Sequence, residues 1–497
     1  MGQILSQPET EKHSEKDSDK YVAYGLSCMQ GWRINMEDAH ATIMDLKREG
    51  DESNGDENHT AFFGVYDGHG GEKAAIFTGL RLHELVASTE AFKEKDYVNA
   101  LKDGFLSCDQ AILQDYETRN DESGCAATSA IVTPHHIYCA NAGDSRTVMS
   151  SNGYAKALSY DHKPFNEGEK ARICAAGGYV DVGRVNGNLA LSRGIGDFMF
   201  KKNDDLPAEE QIVTCYPDVI HHEIDFAKDE FVILACDGIW DCLSSQNCVE
   251  CVRRGLYERK PLTQICEEIM ELCCAPTSDG SGIGCDNMSI LIVALLDHTN
   301  NENLDQWYDR VIAKIEKQQE TVKANPDAIE AANYEYGPIS PPYNDLYKEI
   351  FGEFYEIGQQ ANNDTRGGAS RDSMFGHSMF GNMGMRNGKN ADEDELDSND
   401  DEENANSGPA GPATSASDGL NNGAISLQKL LSSNVITNEN GVIYLDTSSA
   451  QSLLASFGMP TGEPSDENGS DEEDSVHEKH IEEVDESEPE SSSKTNE

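Results

Sequence analysis

The chain has 497 residues and a formal net charge of -53, and roughly half of that charge lies after residue 390. A field of this sign repels nucleic acid, which needs basic side chains to displace the counterions around its phosphates, so we expect no nucleic-acid ligand. No apolar run approaches the ~20 residues that a membrane span needs. Fourteen cysteines without a regular framework indicate free thiols in a reducing compartment.

The first segment, residues 1–20, is polar and charged and predicts a flexible N-terminal arm. Its opening residues read Met-Gly-Gln-Ile-Leu-Ser, which matches the pattern for myristoylation of Gly2. One acyl chain supports only reversible membrane contact. We therefore expect a cytoplasmic and nuclear protein that contacts membranes only when Gly2 is acylated.

From Tyr21 onward, short apolar runs bounded by Gly, Asn, Asp and Pro predict β-strands. These runs cover residues 22–29, 39–44, 60–66, 126–132, 137–142, 147–149, 231–235 and 288–295. Apolar residues at helical spacing predict helices over 71–86, 97–116, 246–257 and 262–273. Strands and helices are grouped rather than strictly alternating, which indicates an α+β fold of antiparallel sheets flanked by helices. Residues 21–297 are a size that one core can hold, so we predict a single domain there.

The rest of the chain divides into two parts. Helical patterns over 304–323 and 343–359, separated by prolines, predict a helical extension at 298–360, either packed on the domain or apart from it. From residue 361 the chain is rich in Gly, Met and Asn and then acidic, so it cannot bury enough apolar surface to offset its conformational entropy. We predict a low-complexity, disordered acidic tail over 361–497.

Acidic residues stand at the ends of three predicted strands: Asp67, Asp237 and Asp286. A single Asp-Gly after a strand is more often an ordinary turn. Three such carboxylates, with no nearby lysines to neutralise them, would repel one another unless a cation lay between them. Ligands that are all oxygen indicate a hard cation, magnesium or manganese.

The residues around these junctions extend the predicted metal site. With Asp67 as a bridge, two ions would lie ~4 Å apart and could hold a hydroxide suited to attack on phosphorus. The carbonyl of Gly68 and waters held by Glu37 and Asp38 would complete the second ion's ligands. This set of groups predicts hydrolysis of a phosphate ester.

Two further side chains suit that chemistry. Arg33 could bind two phosphate oxygens through its fork of N–H donors. His69, two residues after Asp67, is the predicted general acid for the leaving alkoxide. Each alone is more often a surface ion pair or a loop histidine, and it is their combination with the carboxylates that favours a catalytic site.

These residues lie in motifs that resemble those of the type 2C metal-dependent protein phosphatases, most closely the fungal members with an acidic C-terminal tail. The motifs follow in order over about residues 21–297: MQGWR (29–33), MEDAH (36–40), DGHGG (67–71), GDSR (143–146), DHKP (161–164), SRGIGD (192–197), DG (237–238) and DN (286–287). The resemblance implies a central sandwich of two antiparallel β-sheets flanked by α-helices, in four αββα layers. It also implies hydrolysis of phosphoserine and phosphothreonine in proteins.

The resemblance also implies roles by matched position. Those roles are metal binding by Asp67, Gly68, Asp237 and Asp286, water-mediated metal contacts by Glu37 and Asp38, phosphate binding by Arg33, proton donation by His69, a weaker third metal site at Asp144, and supporting positions at Asn287 and Asp241. Residues 162–188 correspond to a flap thought to affect substrate choice. Where the family often has Gly-x-Thr-Ala, this chain reads Gly-Cys-Ala-Ala at 124–127, and we expect the lost hydroxyl to affect packing near the site rather than metal binding.

We therefore predict a monomeric serine/threonine protein phosphatase that uses two Mn²⁺ or Mg²⁺ ions, with a weaker third. Its predicted partners are phosphorylated proteins, and the family resemblance alone suggests stress-pathway and cell-cycle kinases. The alternative is a catalytically silent scaffold that binds partners through its tail, but a scaffold has no need of a complete set of carboxylates. A two-metal phosphodiesterase or nuclease would share the ions, but the acidic chain lacks a basic groove.

Overall fold

The computed structural model describes residues 4–47, 59–278 and 282–352. Gly2 and the predicted tail over 361–497 lie outside these residues. The strands are β1 Ile4–Ser18, β2 Val22–Arg33, β3 Ala39–Ile43, β4 Ala61–His69, β5 Gly124–Val132, β6 His136–Ala142, β7 Arg146–Ser151, β8 Tyr154–Ala157, β9 Val180–Asp181, β10 Arg184–Val185, β11 Ile195–Gly196, β12 Asp218–Glu223, β13 Asp229–Ala235 and β14 Met288–Leu295. The α-helices are α1 Lys73–Ser88, α2 Glu90–Lys93, α3 Tyr97–Gln114, α4 Glu167–Ala175, α5 Asp237–Trp240, α6 Ser245–Tyr257, α7 Leu262–Cys273, α8 Leu304–Ala324, α9 Ile329–Tyr336 and α10 Tyr343–Phe351.

Two antiparallel sheets face each other and form the centre of the fold. One has the strand order β1-β2-β14-β13-β7-β8, and the other has the order β12-β6-β5-β4-β3, with β11 added beside β5. Helices α6, α7 and α8 cover the outer face of the first sheet, and α1 and α3 cover the outer face of the second. The predicted α+β sandwich with helices on both outer faces is confirmed.

Strand β14 shows why this sequence forms a buried layer. Its side chains alternate between two cores, because successive residues of a strand point to opposite faces. Leu291, Val293 and Leu295 pack between the sheets, whereas Ile290 and Ile292 pack under the helices. Both faces are therefore apolar, which explains the run of hydrophobic residues over 290–295.

The first strand corrects the prediction of a flexible arm over residues 1–20. Residues Ile4–Ser18 form β1, which pairs antiparallel with β2 along the edge of the first sheet. Its side chains add polar contacts, including Lys12 Nζ to Glu271 Oε1 at 2.9 Å and Ser14 Oγ to Glu267 Oε1 at 2.6 Å. The prediction was wrong for these residues because it counted apolar burial alone, whereas backbone hydrogen bonds order this strand.

The helical extension packs on the first sheet rather than standing apart from it. Trp307 and Val311 of α8 are fully buried, and the indole Nε1 of Trp307 donates to the carbonyl of Glu230 at 2.9 Å. Helix α10 adds Tyr343 and Leu346 to the same core. The core thus continues past residue 297, where the sequence pattern had placed the end of the domain.

The described residues also bear on two expectations from composition. All fourteen cysteines are free thiols, as predicted, and most are buried. None of the helices in this part of the chain is both long enough and apolar enough to cross a membrane.

Candidate active site

Antiparallel pairing brings the predicted metal ligands to one edge of the sandwich. Asp237 lies two residues after β13 and Asp286 lies two residues before β14, and these two strands are neighbours. Asp67 lies near the end of β4 in the opposite sheet. Asp38 is in the connection from β2 to β3, which crosses between the sheets. Carboxylate oxygens of Asp38 and Asp67 and the Sγ of Cys236 all lie within 4.8 Å of one another.

The crowding of these carboxylates changes their acidity. Burial raises the pKa of Asp67 well above its ordinary value, and the charges of Asp237, Asp38 and Asp286 raise it further. The pKa of Asp237 is raised for the same reasons, with Asp144 as its strongest charged neighbour. A divalent cation among these groups would relieve their repulsion, so this set of oxygen donors fits the predicted magnesium or manganese.

Asp38 is a carboxylate with only one of its two oxygens hydrogen-bonded among the described residues. Its Oδ2 accepts a hydrogen bond from Ser289 Oγ at 2.7 Å, but its Oδ1 is buried with no hydrogen-bond partner among the described residues. Burial raises the pKa of Asp38 to about 7; the Ser289 bond opposes this shift and the charge of Asp286 adds to it. A buried, unpartnered carboxylate oxygen is the kind of atom that a cation or its water would satisfy.

Asn287 holds the turn that carries Glu37 and Asp38. Its Oδ1 accepts from the backbone N–H of Glu37 at 2.9 Å, and its Nδ2 donates to the carbonyls of Gln30 and Asn35 at 2.8 and 2.9 Å. The side chain is almost fully buried, so all three bonds are protected from water. This geometry gives the predicted supporting residue a physical role.

Gly68 allows the same turn to approach β4. A Cβ built on Gly68 would collide with the carbonyl oxygen of Glu37. Any larger residue would push the turn away from Asp67. The predicted use of the Gly68 carbonyl as a ligand remains a prediction.

Arg33 lies at the end of β2, beside the cluster. Its Nη2 donates to Asp286 Oδ2 at 2.5 Å, and its side chain is 37% exposed. A guanidinium has five N–H donors, so most of them stay available to an anion that enters from solvent.

One lysine lies beside the carboxylates, so the prediction that no lysine is near them was wrong. Lys163 Nζ lies 2.6 Å from Asp144 Oδ2. Burial lowers the pKa of Lys163, but the charge of Asp144 outweighs it, so the ammonium stays charged. Lys163 and Asp144 are distant in the sequence and come together only in the folded protein. The third metal predicted at Asp144 would have to compete with this cation.

Asp241, the other predicted supporting residue, is exposed at the end of the short helix α5. Its backbone N–H donates to the carbonyl of Asp237 at 2.8 Å. It therefore lies one helical turn from a predicted ligand, on the solvent side.

His69 forms a pair with a residue that the sequence reasoning did not single out. Its Nε2 lies 2.9 Å from both carboxylate oxygens of Asp197, which is buried. Burial lowers the pKa of His69, but the hydrogen bond and charge of Asp197 outweigh it and raise the pKa overall. Asp197 ends the SRGIGD motif, and its backbone φ of 52° suits the Asp and Asn that occur most often in left-handed conformations.

Cys236 is the other unexpected neighbour of the cluster. It lies between β13 and Asp237, and its Sγ accepts the backbone N–H of Ser289 at 3.2 Å. Burial raises the pKa of this thiol well above its ordinary value, and the charges of Asp38 and Asp67 add to the effect. The thiol therefore stays protonated, and the site keeps its oxygen donors.

The flap is anchored by a buried glutamate. Glu169 of α4 accepts hydrogen bonds from Arg172, Arg193 and Ser192, with the shortest distances at 2.6 and 2.7 Å. Burial by itself would raise the pKa of Glu169, but the bonds and charges of the two arginines hold it at about 2. This network ties the flap to the SRGIGD segment that carries Asp197.

The departure at residues 124–127 falls beside the site. Ala126 in β5 is the register partner of Asp67 in β4. A Cβ built on Gly143 would lie 2.5 Å from the Cβ of Ala126, so the space there is already filled. The expected effect on packing rather than on metal binding stays a prediction.

The fold and the site together define a class of protein. A two-sheet sandwich that gathers half-buried carboxylates, an arginine and a histidine at one edge is the arrangement of a metal-dependent phosphatase. The family model described as Protein phosphatase 2C matches residues 22–282, slightly more than half of the chain. The chain belongs to the protein phosphatase 2C family of metal-dependent protein serine/threonine phosphatases.

Fungal relatives are similar to the chain over much of its length. Protein phosphatase 2C homolog 2 of Schizosaccharomyces pombe is 52% identical over 353 residues, which cover 71% of this chain and 88% of that protein. The protein of the same description from Saccharomyces cerevisiae is 51% identical over 319 residues, which cover 64% of this chain and 67% of that protein. A crystal structure of a phosphatase from Toxoplasma gondii is 23% identical with a TM-score of 0.48, covering 57% of this chain and 96% of that one. The predicted membership, the resemblance to fungal members and the prediction of an enzyme are confirmed by the family match and the fungal relatives.

Proposed function

We propose that this phosphatase hydrolyses phosphoserine and phosphothreonine with two Mn²⁺ or Mg²⁺ ions held by Asp67, Gly68, Asp237 and Asp286. The observation that supports the ions is the half-buried cluster of carboxylates whose pKa values are raised by desolvation and by one another. When bound, the ions would supply Lewis acidity and lower the pKa of a water so that it can attack phosphorus near neutral pH.

The chain's own side chains bind and orient the substrate. Arg33 binds two phosphate oxygens while it keeps its bond to Asp286. Ser289 and Asn287 keep Asp38 and the Glu37 turn in place, so that these carboxylates can bind metal-held water.

Other residues donate the proton or lie at the edge of the site. His69 donates the proton that the leaving serine or threonine oxygen needs. Asp144 offers a weaker third ion site, and a metal ion there would compete with the ammonium group of Lys163. Asp241 lies near the same carboxylates on the solvent side.

We also propose the setting in which the enzyme acts. Its substrates are phosphorylated signalling proteins, with stress-pathway and cell-cycle kinases first among them. It works as a monomer in the cytoplasm and nucleus, and it contacts membranes reversibly when Gly2 is myristoylated. The support for these points is the family membership and the N-terminal pattern.

Turnover of a phosphothreonine peptide by the purified full chain tests the reaction. We expect phosphate release only with added Mn²⁺ or Mg²⁺, loss of turnover in Asp67→Ala and Asp237→Ala, and normal turnover in Asp204→Ala, which removes an exposed aspartate. Activity that persists in excess chelator would contradict the metal proposal. A wild-type chain that binds phosphoproteins without turnover would support the scaffold instead.

Substrate identity needs a second experiment. Asp237→Ala should retain bound phosphoproteins in cells, and mass spectrometry of the captured proteins identifies them. Capture that includes no kinase would contradict the proposed substrates without affecting the reaction.

A further inference from the structure

Asp197 and His69 form a pair at the rim of the carboxylate cluster. Both oxygens of Asp197 lie 2.9 Å from His69 Nε2. Asp197 is only 3% exposed, whereas the His69 side chain is 28% exposed. Among the described residues, no group is hydrogen-bonded to the other ring nitrogen, Nδ1. Asp197 therefore fixes Nε2 and leaves Nδ1 available to a substrate.

Three neighbouring strands bring the pair together. Gly124 in β5 is the register partner of His69 in β4 and of Gly196 in β11. A Cβ built on Gly124 would lie 2.6 Å from His69 Nε2 and would also collide with the carboxylate of Asp197. The glycine at this position therefore leaves the space that the hydrogen bond occupies.

The loop behind Asp197 is braced by a second buried pair. Asp109 of α3 accepts from the backbone N–H of Gly196 at 2.8 Å and from Lys201 Nζ at 2.5 Å. Lys201 also donates to the carbonyl of Gly194 at 2.8 Å. These bonds hold the chain on both sides of Asp197, whose left-handed backbone would otherwise be uncommon for a residue with a side chain.

We infer that Asp197 is a positioning residue for the reaction, because its carboxylate holds the Nε2–H of His69 and leaves Nδ1 to protonate the leaving oxygen. The inference rests on the proposed phosphatase reaction. As the oxygen of water bonds to phosphorus, the bond from phosphorus to the serine or threonine oxygen breaks, and that oxygen takes the proton from Nδ1. The Nε2 proton stays on the histidine and keeps its hydrogen bond to Asp197. One proton from the attacking water then returns to Nδ1 and restores the protonated histidine. Asp197 itself touches neither phosphorus nor substrate.

The variant Asp197→Asn tests this role in the full chain. Asparagine keeps the shape and tolerates the left-handed backbone, but it removes the charge that holds Nε2–H. We expect turnover of a phosphothreonine peptide to fall more than tenfold, because its alkoxide cannot leave without a proton. Turnover of p-nitrophenyl phosphate should fall less than twofold, because its aryl oxyanion leaves unaided. In a His69→Ala background the same substitution should have no further effect on the peptide.

A second histidine–aspartate pair provides a matched control. Asp229 lies at the opposite end of β13 from Asp237, and its Oδ2 is 2.7 Å from His222 Nε2. Asp229→Asn should leave the ratio of the two turnover rates unchanged. The variant Gly124→Ala should instead reproduce the selective loss, since its methyl group separates the pair, and it serves if Asp197→Asn does not fold.

The outcomes separate the inference from the function that it rests on. An equal loss on both substrates in Asp197→Asn, with normal dependence on Mn²⁺, would overturn the positioning role and leave the phosphatase reaction intact. An additive loss in the double variant would overturn it as well. A wild-type chain without metal-dependent turnover would overturn the proposed function.

Discussion

Replacing Asp38 by asparagine should stabilise the metal-free protein while it weakens the response to metal. The pKa of Asp38 rises from 3.8 to about 7 in the folded state. Because the folded value lies above the unfolded one, the folded state binds the extra proton, and stability falls as the pH rises from about 4 to about 7. The difference corresponds to ~4 kcal/mol of unfavourable free energy above about pH 7. An amide avoids this cost and can donate to Asp67, whose carboxylate lies within 4.8 Å.

The expected gain is about 2–4 kcal/mol at about pH 8 in excess chelator, which would raise the melting temperature by several degrees. Thermal unfolding with chelator and with Mn²⁺ measures both effects, and the shift caused by Mn²⁺ should shrink strongly in the variant because a cation stabilises only the state that it binds. Asp218→Asn is the opposite control. His162 and then Arg193 lower the pKa of Asp218, so that variant should lose stability in both conditions. An Asp38→Asn protein that is less stable than wild type in chelator, yet still stabilised fully by Mn²⁺, would refute the reasoning.

Three further predictions test other parts of the structure. Glu169→Gln should lower the free energy of unfolding by about 3 kcal/mol at neutral pH. The folded pKa of Glu169 is about 2, below its unfolded pKa, so the ionised side chain stabilises the protein above the unfolded pKa, and this stabilisation is lost as the pH falls through 2. Urea unfolding at several pH values measures the loss of stability, and an equal loss at low pH would contradict the prediction. Trp307→Ala should cost about 3–5 kcal/mol in the same assay if the extension belongs to the core, against less than about 0.5 kcal/mol for Tyr334→Ala, whose side chain is 82% exposed. Deleting residues 390–497 should leave peptide turnover within about twofold of the full chain, and a collapse would show that the tail supports the catalytic fold.

Regular elements were predictable where one pattern dominated the local sequence. The apolar run at 288–295 matches β14 at both ends, because both faces of that strand are buried. Helix α8 begins at the predicted residue, where the side chain of Asn303 caps it. Strand β1 was missed because its residues carry no apolar alternation. Helix α9 was missed because it is short and lies between two prolines.

The site shows the same division between local and distant signals. Asp67, Asp237 and Asp286 were identified because each stands at a junction with an apolar strand, and that signal is local. Lys163 and Asp197 were missed as partners because they lie in irregular segments, whose positions depend on contacts with distant residues. Within SRGIGD, the aspartate that follows a glycine is the sequence feature that could have predicted a left-handed backbone at Asp197.

The polar first strand has a consequence for the solubility of the protein. An exposed sheet edge presents unpaired backbone groups that can recruit a second chain, and charged residues on the outermost strand discourage such pairing. Strand β1 carries many glutamate and lysine side chains and covers β2, whose residues are almost all buried. A chain trimmed to begin at Tyr21 would expose that hydrophobic edge. Removal of the N-terminal segment should therefore promote edge-to-edge self-association and aggregation.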